Sequence, residues 1–219
     1  YPIVTVGYSE SVSATFGPWL TAYLTEKVDK VVVKTGMTAE LVDKFLNDEL
    51  DVLISPENLL DTDFIWRKKL YQEEFMIVLP KGERADNLEA LAQKLPILIY
   101  NGQSSDREKI ISFINSLPFK SFQRYSLESS YTMMGLVSAG EGWAVMPPCN
   151  IWEGREFVRK VEIVRMSAPK LMRSQYVICK EGFYSDLSQD LARQFPLIVE
   201  REIQPRFCQM SPQLFIDLA

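Results

Sequence analysis

Residues 132–148 read TMMGLVSAGEGWAVMPP, an apolar helix-like run followed by Gly-Glu-Gly, a short strand-like run and two prolines. The pattern predicts a helix over 129–140, a tight turn and a strand over 143–147. Gly-Glu-Gly is not a phosphate-binding loop, because such a loop needs a glycine-rich turn followed by Lys and Ser or Thr. The stretch also lacks a nucleophile–base pair and metal-ligand spacing, so it indicates a helix–turn–strand unit without catalytic chemistry.

The same alternation of strands and helices runs through the rest of the chain. Strands are predicted at 3–8, 30–34, 51–55, 73–80, 95–100, 122–127, 143–147, 161–164 and 174–180, and helices at 12–25, 38–50, 87–95, 104–117, 129–140 and 185–203. Strands joined by helices pair in parallel through right-handed crossovers. We therefore predict an α/β protein with two Rossmann-like lobes and a cleft between them. The strands at 73–80 and 174–180 are the expected crossovers between the lobes.

The composition argues against several classes of chemistry. The 219 residues carry a net charge of −5 with no dense basic run, so this chain is not expected to bind DNA by itself. It contains no histidine, the commonest general base and transition-metal ligand, so we expect no enzyme, no metal and no cofactor. Cys149, Cys179 and Cys208 lie far apart, which favours reduced thiols in a cytosolic protein over a redox pair. No run approaches the roughly 18–20 apolar residues of a membrane span.

Segments rich in hydroxyl groups follow three of the predicted strands. They are YSESVS after 3–8, YNGQSSD after 95–100 and LESSYT after 122–127. In open parallel sheets, ligands bind beyond the carboxyl ends of strands, where the N–H groups of a helix start suit a small anion. The simpler alternative is that each serine only caps its helix. Three such segments meeting at one crevice would favour ligand binding.

Clustered acidic residues are expected to be solvated rather than to form a catalytic pair, because they lie at predicted helix ends and strand edges. They are Asp48, Glu49, Asp51, Glu73 and Glu74. The basic residues that could bring positive charge to the crevice are Lys81, Arg84 and Arg107, each of which is also typical of a protein surface.

An ordered set of motifs runs nearly from end to end of the chain. The motifs are VTVGYSES at 4–11, VVVKTG at 31–36, LVDKFLNDELDVLI at 41–54, EEFMIVLP at 73–80, NLEALA at 87–92, GLVSAGEGWAVMP at 135–147 and SQYVICK at 174–180. This set resembles the effector-binding (regulatory) domain of LysR-type transcriptional regulators. The chain departs from the family pattern after Pro80, where Lys-Gly-Glu-Arg stands in place of His-Pro-Leu-Ala.

The resemblance implies the type 2 periplasmic-binding-protein fold, with lobe I at 1–80 plus 178–219 and lobe II at 81–177. It also implies a small-molecule effector, taken to be an anion or carboxylate, bound between the lobes. By position, the implied effector contacts are Ser9, Glu10, Ser11, Ser55, Pro56, Asn101, Gly102, Ser129 and Ser130. The family also dimerises side by side, which implies interface residues Phe16, Trp19, Leu20, Tyr23, Met133, Met134 and Val137.

The resemblance further implies a cytoplasmic regulator that is tetrameric at full length. The resemblance places the family's DNA-binding winged helix-turn-helix outside this chain. Separately, the first residues, YPIVTVGY, indicate a fragment or a processed chain. Two alternatives stay open. A periplasmic solute-binding receptor of a transporter would share the fold, and an enzyme on the same fold would need a nucleophile, base or cofactor lysine in the crevice.

Overall fold

The computed structural model describes residues 1–57, 59–102, 104–120, 123–167 and 169–218. The strands in this part of the chain are β1 Val4–Ser9, β2 Val31–Gly36, β3 Val52–Ser55, β4 Ile65–Glu74, β5 Met76–Pro80, β6 Ile97–Tyr100, β7 Arg124–Leu127, β8 Trp143–Met146, β9 Val161–Arg165 and β10 Met172–Lys180. The helices are α1 Glu10–Thr25, α2 Thr38–Leu46, α3 Leu88–Lys94, α4 Ser105–Ser116, α5 Ser130–Ser138, α6 Pro148–Glu153, α7 Ser185–Ile198 and α8 Gln204–Met210. A 3₁₀ segment spans Arg155–Lys160, and a π-helical segment spans Val199–Ile203.

Unit 1 consists of residues 1–72, 174–207 and 216–219. Its sheet has the strand order β2-β1-β3-β10-β4, in which β1 is parallel to β2 and β3, and β10 is antiparallel to β3. Tyr8 is fully buried and bonds Thr21 of α1 at 3.3 Å, so this face of β1 packs on α1. The preceding residue, Gly7, faces the opposite side of the sheet, where an added Cβ would lie 2.6 Å from the Leu50 side chain. A glycine at this position therefore lets the loop after α2 close against the sheet.

Unit 2 consists of residues 73–173 and 208–215. Its sheet has the strand order β7-β6-β8-β5-β9. β6 is parallel to β7 and β8, whereas β5 is antiparallel to β8 and β9. The parallel strand pairs of both units confirm the parallel pairing expected from strands joined by helices. Strands β5, β9 and β10 form antiparallel pairs, which that prediction did not include.

The Gly-Glu-Gly turn joins α5 to β8 through two glycines that have different tasks. Gly140 has φ +80°, and its N–H donates to Val137 O at 3.0 Å while the Glu141 N–H donates to Leu136 O at 3.0 Å. This pair of bonds is a Schellman motif, which satisfies carbonyls at the end of a helix. Gly142 lies against β6 instead, since an added Cβ would meet Leu98 Cγ at 2.8 Å. The turn therefore ends α5 and brings β8 directly beside β6.

The structure corrects the prediction of a single crossover strand at 73–80. Two strands occupy this region: β4, which was not predicted, ends at Glu74, and β5 begins at Met76. The chain first passes from unit 1 to unit 2 between residues 72 and 73, within β4, and first returns between 173 and 174, within β10; it crosses twice more, at 207/208 and 215/216. The first two boundaries fall earlier in the chain than the predicted ones at 80 and 178. Part of the predicted strand at 122–127 lies outside the described residues, which show it as β7.

Glu73 and Glu74 are buried, with 0% and 5% of their surface exposed, so the prediction that they are solvated is wrong. The Glu73 carboxylate pairs with Arg173, and that of Glu74 pairs with Arg165 at 3.1 Å. These partners lie about ninety to one hundred residues away in the chain. A buried carboxylate is tolerated when such a partner is present, and the local sequence contains no sign of it.

Candidate functional site

In unit 1, two serines end neighbouring parallel strands at the same edge of the sheet. Tyr8 of β1 stands beside Ile54 of β3, so Ser9 and Ser55, the next residues, are neighbours at the carboxyl ends. Ser9 is also the N-cap of α1, with φ −60° and ψ 159°, yet its side chain makes no capping bond. Its Oγ is buried and has no hydrogen-bond partner within the described residues. The sheet edge therefore holds one hydroxyl group that is removed from water and not satisfied by the protein.

The other predicted contacts of unit 1 differ in their exposure. Ser11 is buried with 5% exposure, Glu10 is exposed and Pro56 is half-buried. The Ser55 side chain is 2% exposed, and its Oγ accepts from the Glu57 N–H at 3.0 Å, which closes the turn after β3. Because a hydroxyl can still donate its proton while it accepts, Ser55 keeps a donor available.

Gln175 was not predicted, and it is a second unsatisfied polar side chain at this edge. Tyr176 of β10 stands beside Ser55, so Gln175 is one residue beyond the end of β3. Its side chain is 1% exposed, and Oε1 has no hydrogen-bond partner in the described chain. The alternation of β10 could have identified it, because Gln175 shares the buried face with Val177 and Cys179.

The N-terminus of α1 is the main electropositive feature at this edge of the unit 1 sheet. Glu10 and Glu57 are exposed carboxylates, and none of the residues assigned to the edge is basic. The first turn of α1 carries N–H groups without intrahelical partners and the positive end of the helix dipole. This arrangement can bind a small anionic or hydroxyl-bearing group by hydrogen bonds.

In unit 2, Ser130 belongs to a buried hydrogen-bonded group. Its Oγ lies 2.8 Å from the hydroxyl of Tyr100, the last residue of β6. The Asn150 side-chain amide donates to both oxygens, at 2.9 Å to Tyr100 and 3.1 Å to Ser130. Burial raises the pKa of Tyr100 above its usual range, although the bonds from Ser130 and Asn150 oppose this shift. The Ser130 hydroxyl is thus already engaged by its own unit.

The remaining predicted contacts of unit 2 lie at its surface. Ser129 is the N-cap of α5, and its Oγ accepts from the Thr132 N–H at 3.2 Å. Asn101 and Gly102 are exposed, and Asn101 Oδ1 accepts from the Gly102 N–H at 2.8 Å. Gly102 has φ +77°, a conformation that favours glycine.

A groove of about 580 Å³ begins at Gly102 and follows α4. Its other lining residues are Arg107, Glu108, Ile111, Ser112, Asn115 and Arg124. Arg107 is held in place because its guanidinium donates to the Tyr100 carbonyl at 2.7 Å. Of the other basic candidates, Lys81 pairs with Glu162 at 3.3 Å, and Arg84 pairs with Asp86 at 3.4 Å, both near the surface. Arg107 is the candidate cation that the structure connects to the end of β6.

The residues expected at a dimer interface fall into two groups. Five are fully buried in their own unit, so their side chains offer no exposed surface: Phe16, Leu20, Met133, Met134 and Val137. Trp19 and Tyr23 are half-buried on α1, and each has a cation over its ring, Arg206 at 4.8 Å and Lys27 at 5.4 Å. The interface role of this whole set stays a prediction.

The described residues also bear on redox and metal chemistry. No disulfide joins the three cysteines in the described residues: Cys149 and Cys179 are buried, and Cys208 is exposed. Burial raises the pKa of the Cys179 thiol, which disfavours the reactive thiolate. No cluster of three or more Cys, Asp or Glu side chains suited to a metal ion occurs in the described part of the chain. In the same residues, no helix has both the length and the apolar character needed to cross a membrane.

Comparison with known proteins identifies similar sequences and folds. Residues 3–195 match the model of the family described as the LysR substrate binding domain. The curated proteins contain no match. Among solved structures, the reduced OxyR regulatory domain from Pseudomonas aeruginosa is 18% identical with a TM-score of 0.67, over 90% of this chain and 95% of that one.

Two other solved structures are similar to the same extent. The bromide-bound regulatory domain of HypT from Salmonella typhimurium is 16% identical with a TM-score of 0.69, over 90% of this chain and 95% of that one. The effector-binding domain of QuiR in complex with shikimate is 18% identical with a TM-score of 0.68, over 94% and 99%. At these identities the likeness describes the fold, which is the type 2 periplasmic-binding-protein-like fold.

Proposed function

Because the chain belongs to the family of LysR substrate binding domains, we propose that it senses a small-molecule effector for a LysR-type transcriptional regulator. The proposed effector is a small anion or carboxylate, and the proposed anchor is the first turn of α1 with Ser9, Ser11 and Ser55. The observation that carries this proposal is the buried Ser9 Oγ, which lacks a hydrogen-bond partner among the described residues.

The physical argument starts from the cost of that hydroxyl. A buried polar group without a partner costs about 1–3 kcal/mol, which a ligand recovers when it supplies the missing bond. A carboxylate oxygen placed beyond β1 would accept from Ser9 and from the first-turn N–H groups of α1, where the helix dipole favours negative charge. Ser55, at the end of β3, and Gln175, on β10 one residue beyond that end, would contact the rest of the ligand.

Unit 2 supplies the second set of proposed contacts. Asn101 and Gly102 are exposed just after β6, and Ser129 is half-buried at the N-cap of α5. Arg107 offers a cation that its bond to the Tyr100 carbonyl holds in place. That both sets contact one effector is taken from the family and not from the distance between the units.

The wider role is proposed on the same footing. By analogy with the family, we propose a homodimer, a tetramer of the full-length protein, a cytoplasmic location and DNA binding through a domain outside these residues. The family match does not favour a transporter's solute receptor. Effector binding would act by favouring one of two conformations of the regulator.

The test is isothermal titration calorimetry with sulfate, acetate, succinate and shikimate, the last because QuiR was solved in complex with it. We expect at least one carboxylate to bind wild type and to lose about tenfold in affinity in Ser9→Ala, the factor typical of one hydrogen bond. The matched control is Ser138→Ala, since that hydroxyl donates to Gly135 O at the far end of α5. Equal affinities in wild type and Ser9→Ala would refute the proposed anchor.

A further inference from the structure

Two buried residues of opposite charge stand at two of the four points where the chain passes between its units. Glu73 lies next to the first boundary in β4, and Arg173 lies next to the second boundary in β10. Both side chains are in unit 2, with 0% and 4% of the residue exposed. Arg173 Nε donates to Glu73 Oε1 at 2.9 Å, and its NH2 group contacts the same oxygen. This ion pair therefore ties the two connecting strands to each other.

The remaining groups of this ion pair are bonded to helices of unit 2. Arg173 donates to Asp106 Oδ2 in the first turn of α4 at 2.7 Å, and to Asn150 Oδ1 in α6 at 2.8 Å. Glu73 Oε2 accepts from the Cys149 N–H at 3.2 Å. Several N–H groups of the planar Arg173 guanidinium thus each donate to a carboxylate or amide oxygen. Because these N–H groups have fixed directions, a change in one hydrogen bond alters the geometry of the other hydrogen bonds.

Asn150 continues the network to the start of α5. Its Oδ1 accepts from Arg173, while its Nδ2 donates to the Tyr100 and Ser130 hydroxyls. The amide is held in this orientation, because a flip would point its NH2 group at the Arg173 donors. Ser130, Tyr100, Asn150, Arg173 and Glu73 therefore form one continuous path, which we name the hinge network.

We infer that the hinge network couples the start of α5 to the strands that connect the two units, with Asn150 as the positioning residue. A ligand hydroxyl that donates a hydrogen bond to the Ser130 or Tyr100 oxygen competes with the Asn150 amide, which donates to the same oxygens, and so changes the orientation of that amide. The Arg173 N–H groups then change hydrogen-bond partners. Asp106 Oδ1 can accept from them, because it is buried and has no hydrogen-bond partner in the described residues. The inference rests on the proposed function only in placing the ligand near Ser130.

The test is amide hydrogen exchange of the whole chain without ligand, followed by mass spectrometry. In Ser130→Ala we expect exchange in peptides covering 72–76 and 171–175 to rise about tenfold, the factor typical of one lost hydrogen bond. Tyr100→Phe, which removes the other hydroxyl and keeps the ring, should give the same pattern. The control is Ser129→Ala, which weakens the cap of α5 without touching the network and should affect α5 alone.

The outcomes separate coupling from a purely structural role. If both network variants raise exchange only in α5 and β6, or raise it evenly through unit 2 including β9, the inference is overturned. A selective rise at the two connecting strands supports it. Because the comparison uses no ligand, its failure leaves the proposed effector site intact. In the same way, failure of anion binding leaves the coupling result intact.

Discussion

Replacing each glycine of the Gly-Glu-Gly turn tests why this stretch determines the fold of unit 2. At Gly142, an added Cβ would lie 2.8 Å from Leu98 Cγ and 2.9 Å from the Pro96 carbonyl oxygen. The carbonyl belongs to the backbone beside β6 and accepts from the Trp143 N–H at 3.1 Å, so it has little freedom to move. At Gly140, nothing lies within 4 Å of an added Cβ, and the constraint is φ +80° alone.

The two positions should therefore respond differently to the same substitutions. Overpacking of a rigid site costs about 1–3 kcal/mol, and the backbone contact places Gly142→Ala at the upper end, near 3 kcal/mol. A left-handed conformation costs a residue with a Cβ about 1–2 kcal/mol, and Asn tolerates it best among such residues. We expect Gly140→Ala to lose about 1 kcal/mol and Gly140→Asn less, whereas Gly142→Asn should lose at least as much as Gly142→Ala.

Urea unfolding followed by tryptophan fluorescence measures these losses. With a slope of about 1–3 kcal/mol per molar urea, Gly142→Ala should lower the midpoint by about 1 M or more. Hydrogen exchange in β6 and β8 would place the loss in unit 2. A midpoint for Gly142→Ala equal to that of wild type would refute the close-approach argument, and a Gly140→Asn as unstable as Gly142→Ala would refute the distinction between the two glycines.

Three further predictions concern a buried ion pair, a buried tyrosine and a helix cap. Arg173→Met should lower the free energy of unfolding, measured in urea, by about 3–5 kcal/mol because Glu73 is left buried and without its ion-pair partner. The double variant Arg173→Met, Glu73→Gln should lose less stability than the sum of the two single variants. Burial raises the pKa of Tyr8 from 10.0 to about 12, so its neutral form stabilises the fold below pH 10. This contribution, about 2–3 kcal/mol, should be lost as the pH rises to about 12, and Tyr8→Phe should show a smaller loss in urea unfolding at stepped pH. Ser129→Ala should lose about 1 kcal/mol in the same assay while Ser129→Asp, which can still cap α5, should not.

The sequence predicted those elements whose signals are local. The helix, glycine turn and strand around Gly140 were located because a Schellman motif and a close backbone approach each select glycine. Strand β4, with the sequence IWRKKLYQEE, was missed because it lies at the edge of its sheet, where Lys68 and Lys69 face water. Its charged run therefore lacks the alternation of a half-buried strand.

The candidate site was predictable only in part, for a related reason. Ser9 and Ser55 could be assigned from the rule that ligands bind beyond the carboxyl ends of parallel strands. The burial of Glu73 and its pairing with Arg173 depend on two residues one hundred positions apart. Likewise, the unsatisfied state of Ser9 Oγ and Gln175 Oε1 depends on which neighbours the folded chain provides. Such facts follow from tertiary packing and have no signature in a local window.

Backbone amide chemical-shift mapping by NMR tests the proposed effector anchor most directly. The chain would be titrated with sulfate, acetate, succinate and shikimate in turn, and the amide signals of both units would be followed. The account predicts that a bound carboxylate shifts the first-turn amides of α1 at residues 10–13 most strongly, and that Ser9→Ala weakens this response. If no anion shifts these amides, or if the response is confined to the groove from Gly102 to Arg124, the start of α1 is not the effector anchor.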